Sequence, residues 1–350
     1  MKPKAISIAG RRVADGQPCF IIAEAGSNHD GSLPRALKLV DAAAEAGADA
    51  VKFQVFRART LYPNLDVRPR YLKTLGVDKP IYQVISEMEM PFSWIPKLAA
   101  RCRRRRILFL ATPFDEECAD RLEPFVPAWK IASYELTHAP LLRHVLRTGK
   151  PLLLSTGGAD QAEIDRVLSR LRGGVALFQC TAKYPAPDDS LNLRAIPEMK
   201  RRYGVPVGLS DHSTDPVLAP VAAAALGANL IEKHFTLSRR LKGPDHSYAL
   251  EPGELRGMVR AVRRTEAMLG SGRKRPHPVE ADLREYRRGI FTIAPVAAGE
   301  RLTRATVAVL RRGGRPETDL PPERWPWLLK RRARRALKPH TLLSLSDVRG

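Results

Sequence analysis

Cysteine is scarce in this chain of 350 residues: Cys19, Cys102, Cys118 and Cys180 are the only four, and none of their spacings matches a zinc site or a Cys-x-x-Cys pair. A disulfide framework is therefore excluded, and a reduced, cytoplasmic setting is expected. No run of about 18 apolar residues occurs, and the opening MKPKAISIAGRRVADGQ holds basic residues without an unbroken apolar stretch. Neither a membrane span nor an export signal is expected. A glycine-rich dinucleotide fingerprint is missing too, which counts against an open doubly wound sheet. Acidic residues are outnumbered, 37 against 59 Lys and Arg, for a formal net charge of +22. Such charge raises nucleic-acid binding, with the arginine runs at 103–106 and 331–335 as contact patches. Yet no aromatics interleave with those runs, and no helix-turn-helix, finger or RNP signature appears. The charge reads as a solvated basic face, with a non-catalytic basic binding protein as the competing class, recognisable by salt-dependent retention on nucleic acid.

What is present is a regular alternation of strand and helix signals, in a chain of ordinary hydrophobic content at 44%. The apolar runs are CFIIAE (19–24), AVKFQ (50–54), ILFLAT (107–112), WKIAS (129–133), PLLLST (151–156), VALFQC (175–180), VPVGLS (205–210) and NLIEKHF (229–235). Amphipathic segments of helical period separate them. The first, opened by Pro34 and closed by Gly47, is typical. Eight such repeats predict a closed (β/α)8 TIM barrel over residues 1–269. An insertion at 56–91, with Tyr62, Pro63, Arg68, Arg70 and Tyr71, is placed to act as a lid over the pocket mouth. The polar, proline-bearing stretch 270–286 reads as a linker, and the short strands after it predict a small β-rich domain at 287–350. A domain of that size has a thin core.

The strand ends carry the chemistry. Glu24, Lys52 with Gln54, Thr112, Lys130 with Ser133 and Glu135, Ser155, Ser210 with His212, and Glu232 with His234 stand where a parallel barrel gathers its ligands. Lys52 and Lys130 can neutralise phosphate and carboxylate, with Thr112, Ser133, Ser155 and Ser210 as hydroxyl donors around the same anion. His212 and His234, on adjacent strands, can share a divalent metal; imidazoles suit Mn(II), Fe(II), Co(II) or Zn(II) better than Mg(II). Glu24 and Glu135 can move protons. Taken singly, each such residue is as readily a solvated strand terminus. His29 and His246 read as loop histidines, Tyr184 before Pro185 as loop packing, and Asn28 with Gly31 as turn formers. The coincidence of two lysines, four hydroxyls, two glutamates and two histidines at strand ends favours an enzyme.

The segments IIAEAGSNHDGSL, AVKFQ, FLATPFD, WKIASYEL, PLLLSTGG, CTAKYPAP, GLSDHS and IEKHFTL with GPDHSYAL resemble, in collinear order, the N-acetylneuraminate (sialic acid) synthase family. The tail resembles that family's antifreeze-like, or SAF, domain. The resemblance implies condensation of phosphoenolpyruvate (PEP) with an N-acylated mannosamine-type aldose, an amino sugar, giving a nine-carbon 2-keto sugar acid and phosphate. A related enzyme making a shorter deoxy sugar acid is the alternative, which the SAF-like tail argues against. By resemblance, Lys52, Thr112, Lys130, Ser133, Ser155 and Ser210 hold PEP, His212 and His234 hold manganese, and Gln54, Tyr184 and Asp245 hold the sugar. The family's Arg-Pro-Gly element stands here as Arg312, Gly313 and Gly314; its arginine is implied to reach the sugar's acyl group in the partner's barrel, hence a domain-swapped homodimer. Three departures bear on sugar specificity. Ala182 follows Cys180 and Thr181 where the family often carries asparagine, which removes one amide from the PEP side; Lys183 beside it is more cationic than the family implies; and Gly313 replaces proline, which is expected to loosen the element presenting Arg312.

Overall fold

A computed structural model describes residues 4–69, 72 and 77–350, so Arg70 and Tyr71 of the expected lid lie outside the described residues. The chain divides into two compact units, Met1–Gly270 and Ser271–Gly350.

The first unit holds the eight expected strands: β1 (Phe20–Gly26), β2 (Ala50–Val55), β3 (Leu108–Pro113), β4 (Trp129–Ile131), β5 (Leu152–Ser155), β6 (Val175–Cys180), β7 (Val207–Asp211) and β8 (Leu230–His234). All pair in parallel in the order β3-β2-β1-β8-β7-β6-β5-β4, and β3 packs beside β4 to close the circle. This is the (β/α)8 barrel. Its strands are buried on both faces, which is why they read as unbroken apolar runs. Outward residues such as Val51, Phe53, Ile131, Leu154 and Leu177 meet helix residues such as Leu39, Leu98, Leu141 and Ile196 in one large core.

Local chemistry sets the helix ends. Leu33–Ala46 starts where the Ser32 hydroxyl accepts the Arg35 N–H, with Pro34 in the first turn, and stops at Gly47 in the left-handed region (φ 84°). β4 is shorter than expected: Ser133 is not on the strand but opens a 3-10 turn, Ser133–Thr137, that also carries Glu135. Among the described residues, the segment after β2 forms the short helices Ala58–Leu61 and Ile81–Glu87, with a satellite cluster of Leu72, Ile81 and Val84 joined by Tyr62. An N-terminal hairpin, Ile6–Ile8 against Arg11–Val13, is an addition the sequence pattern did not predict. Three-residue strands are too short to show a period, yet Ile6, Ile8 and Val13 join the core that fills the barrel interior.

In the second unit Arg288–Thr292 pairs antiparallel with Val307–Arg311, and Arg332–Ala333 with Val348–Arg349, around Ile290, Val296, Leu302, Leu328 and Leu343. The stretch expected as a linker contains a 3-10 turn, Pro278–Glu280, and a short helix, Ala281–Arg284. No helix among the described residues is long and apolar enough to cross a membrane.

Candidate active site

Strand alternation builds the site. The barrel interior is filled by Phe20 and Ile22 of β1, Ala50 of β2, Leu110 of β3, Ala128 before β4, Leu153 of β5, Phe178 of β6 and Leu230 of β8. Successive residues point to opposite faces, so two positions further along each strand the same inward face carries Glu24, Lys52, Thr112, Lys130, Ser155, Cys180 and Glu232. Ser210 follows Gly208 on β7 in the same way. A Cβ at Gly208 would lie 2.4 Å from the Leu230 carbonyl oxygen, so glycine is what lets β7 and β8 approach there.

These side chains form one buried cluster. Lys52 Nζ lies 2.9 Å from Glu24 Oε2 and 3.8 Å from Glu232 Oε1, and donates to Thr112 Oγ1 at 3.1 Å. Lys130 Nζ donates to Ser155 Oγ at 2.9 Å and to Glu232 Oε1 at 3.0 Å, and the Ser210 hydroxyl donates to the same oxygen at 3.3 Å. Five of the six residues expected at PEP therefore meet around Glu232. Burial opposes charge on the two lysines and on Glu24 and Glu232, and at Lys130 it outweighs the pull of Glu232 and holds the amine below its usual range. At Glu232 the two lysines outweigh it and hold the carboxyl below its usual range; at Lys52 the two glutamates outweigh it and hold the amine above its own. Glu24 is pushed up to about 7, by burial first and by Glu232, against the pull of Lys52.

A second tier lies above the first. Ser133 Oγ accepts the Gly157 N–H at 3.0 Å and faces Cys180 Sγ at 3.7 Å. A side chain at Gly157 would meet Ser133, Cys180 and Ala182 within 3.1 Å, so all three close around that glycine. Gln54 donates to Glu24 Oε1 at 3.2 Å, and a Cβ on Gly26 would lie 3.4 Å from that oxygen, 3.6 Å from Asp245 Oδ2 and 3.9 Å from Gln54 Cδ. Expected sugar residues and an expected proton carrier thus converge on one bare glycine. Glu135 is buried with its Oε2 lacking a hydrogen-bond partner, and burial lifts it to about 7 against the pull of Lys130. Burial raises the Tyr62 hydroxyl of the expected lid above its usual value, with Tyr134 and Glu135 adding to the shift.

His212 and His234 stand with ring centroids 5.5 Å apart. Tyr184 stacks on His212 at 4.1 Å, while Tyr248 lies 5.5 Å from His234 and donates its hydroxyl to Asp245 Oδ1 at 2.7 Å. His212 Nδ1 pairs with the Thr181 carbonyl at 2.8 Å, so Nδ1 carries the proton and Nε2 keeps its lone pair. Burial lowers His212 to about 4 and His234 well below the usual histidine value, so both are neutral. The buried Nδ1 of His234 has no partner. Two neutral imidazoles, one with a free ring nitrogen orphaned from hydrogen bonding, are a donor set that fits a divalent cation. Among the described residues no third His, Cys, Asp or Glu joins them, which leaves further positions to water or substrate.

Arg312 belongs to the second unit. It is buried and donates to the carbonyls of Arg284 (2.7 Å), Arg315 (3.0 Å) and Arg287 (3.3 Å), which takes up three of its five N–H groups. Gly313 and Gly314 both have positive φ, 59° and 85°; proline cannot adopt that angle. The departure from Arg-Pro-Gly therefore gives a left-handed turn that a proline at 313 could not form. His29 and His246 are loop histidines as expected: His29 accepts the Gly31 N–H, and His246 links Thr236 to Asp30. The roles of Glu232, Cys180 and Tyr248 were missed, although continuing the inward alternation past Ala176 and Leu230 points at the first two.

A family model described as the NeuB family matches residues 39–274. The chain belongs to the NeuB family. It is 44% identical over 336 residues to the spore coat polysaccharide biosynthesis protein SpsE of Bacillus subtilis, covering 89% of each chain. It is 39% identical over 264 residues to the N,N'-diacetyllegionaminic acid synthase of Campylobacter jejuni, covering 73% of this chain and 79% of that one. Among solved structures, SpsE of Bacillus subtilis matches with a TM-score of 0.66 at 41% identity over 99% of both chains. The N-acetylneuraminic acid synthetase of Leptospira borgpetersenii, solved with citrate, matches with a TM-score of 0.72 at 33% identity, over 82% of this chain and 97% of that one. This NeuB chain is thus an enzyme of the acid-synthase kind, with a barrel of the same type.

Proposed function

We propose that this NeuB-family enzyme condenses PEP with an N-acylated mannosamine-type aldose, diacetamido-trideoxy hexoses included, to give a nine-carbon 2-keto sugar acid and phosphate. The observation that carries this reading is the pair Lys52 and Lys130, both buried, both reaching Glu232, and ringed by Thr112, Ser155 and Ser210. Fixed cations and hydroxyls of this kind suit a ligand bearing phosphate and carboxylate, and they stabilise phosphate as it departs.

In the reaction, the π electrons of the PEP double bond form a bond from its methylene carbon to the aldehyde carbon, the aldehyde C=O π bond opens, and its oxygen takes a proton to become a hydroxyl. Positive charge develops at PEP carbon 2, water adds there, and the carbon-oxygen bond to phosphate breaks as the keto group forms. Glu24 or Glu135 takes the water proton; each sits near 7, where a carboxyl exchanges protons at neutral pH. Gln54, Asp245 and Tyr184 orient the sugar beside Gly26. His212 and His234 would hold the divalent cation, manganese by expectation, which supplies Lewis acidity for the aldehyde oxygen.

The same reading keeps a barrel at 1–269, a linker at 270–286 and an SAF-like tail at 287–350, in a cytoplasmic homodimer where Arg312 serves the sugar of the partner subunit. The test is phosphate release from PEP with Mn(II) and a panel of aldoses. Release that depends on an N-acylated mannosamine-type sugar supports the proposal, and release indifferent to every aldose contradicts it.

A further inference from the structure

Behind the two histidines lies a device the proposed chemistry does not use. Asp211 and Lys233 are register partners on β7 and β8, and each immediately precedes one of the histidines in sequence. Alternation turns them away from the pocket, into the layer between strands and helices, where both are fully buried. Lys233 Nζ contacts Asp211 Oδ2 at 2.6 Å, the Ser213 carbonyl at 2.7 Å, the Asp215 carbonyl at 2.9 Å and Ser213 Oγ at 3.2 Å. The other oxygen of Asp211 accepts the Ser213 N–H at 2.8 Å. The residues on both sides of His212 are therefore fastened to one ammonium group, and that group sits on the residue next to His234.

An ammonium in the interior is costly unless every donor is matched. Here the acceptors come from one strand end and the loop that curls back behind it, so the matching fixes backbone rather than merely hiding charge. A packed apolar side chain would fill the same space without setting the direction of the chain through 211–215.

We infer that the buried Asp211–Lys233 pair is the positioning element that holds His212 and His234 at metal-binding separation. The inference rests on the two-histidine site proposed above. Neither residue touches substrate; both act through the imidazoles they precede. Groups that orient metal ligands from behind are commonly worth about 10- to 100-fold in metal affinity.

The test is titration of chelator-stripped full-length protein with Mn(II), following the free Mn(II) signal by electron paramagnetic resonance, with thermal melting as the check on folding. Asp211→Asn keeps the acceptor for Ser213 and is nearly isosteric; the Asp211→Asn, Lys233→Met double variant removes both charges and avoids stranding either one. Both should melt cooperatively and bind Mn(II) about 10-fold or more weakly, while inorganic phosphate, read from its shift of the melting temperature, binds as in the parent. A folded Asp211→Asn or double variant with the parent's Mn(II) affinity overturns the inference. A parent protein that binds no Mn(II), or binds it equally after His212→Ala, His234→Ala, contradicts the metal site itself and removes the inference with it.

Discussion

Glu232 Oε1 lies 3.0 Å from Lys130 Nζ and 3.8 Å from Lys52 Nζ, one buried carboxylate oxygen shared by two buried amines. Removing that negative charge leaves two cations facing each other without their common partner. Breaking a buried pair from one side typically costs about 3–5 kcal/mol, so Glu232→Gln should melt well below the parent. Inorganic phosphate, able to replace the missing charge, should raise the variant's melting temperature more than the parent's. Equal melting temperatures with equal responses to phosphate would count against the cluster as an anion site.

Glu135 supplies a pH prediction. Burial raises its folded pKa to about 7 from an ordinary 4.5, so the folded protein holds the proton more tightly than the unfolded chain. Its contribution to stability is fully present below about 4.5 and is lost as pH rises through about 7. A shift of that size corresponds to about 3 kcal/mol at most. Stability measured from pH 4.5 to 8 should decline less in Glu135→Gln than in the parent. If this carboxylate also takes the proton in catalysis, the parent's kcat/KM rises through pH 7, and the variant loses that limb. An unchanged profile in Glu135→Gln would assign the proton transfer to Glu24.

How far the sequence carried can be judged from particular residues. All eight strands were legible because a strand buried on both faces is an unbroken apolar run, and the polar residues at or near the end of seven of those runs mark the pocket end. Glu232 was visible as such a residue, yet its position between Lys52 and Lys130 depends on three strands whose register no local pattern encodes. Lys233 gave no signal at all, since its partners arise only when the loop after β7 folds back. Arg312 was legible as a motif residue, but its three carbonyl acceptors lie in segments that reach it only in the folded unit.

In the proposed reading, Gly26 separates sugar binding from anion binding. Its φ of 52° and the closeness of Glu24, Gln54 and Asp245 mean that a methyl group there is both strained and in the way. Gly26→Ala should cost about 1–2 kcal/mol of stability and raise the aldose KM by about 10-fold or more, with the KM for PEP little changed. Equal rises in both constants would show that the glycine faces the PEP side instead.

Metal removal addresses His212 and His234. Two neutral imidazoles favour Mn(II) over Mg(II), so chelator should abolish aldose-dependent phosphate release and Mn(II) should restore it more fully than Mg(II). Full turnover by His212→Ala, His234→Ala in the presence of chelator would contradict a metal at this pair.

The most direct test follows the bridging oxygen of PEP. With oxygen-18 at that position, a mannosamine-type aldose and Mn(II), the proposed course breaks the carbon-oxygen bond. The label then leaves in phosphate, and the 2-keto oxygen comes from solvent at early times. In the proposed reading, Lys52 and Lys130, bonded to Thr112 and Ser155, hold phosphate as it departs with that oxygen. Labelled inorganic phosphate is the predicted result; unlabelled phosphate, with the label retained in the sugar acid, would mean attack of water at phosphorus and would contradict the mechanism.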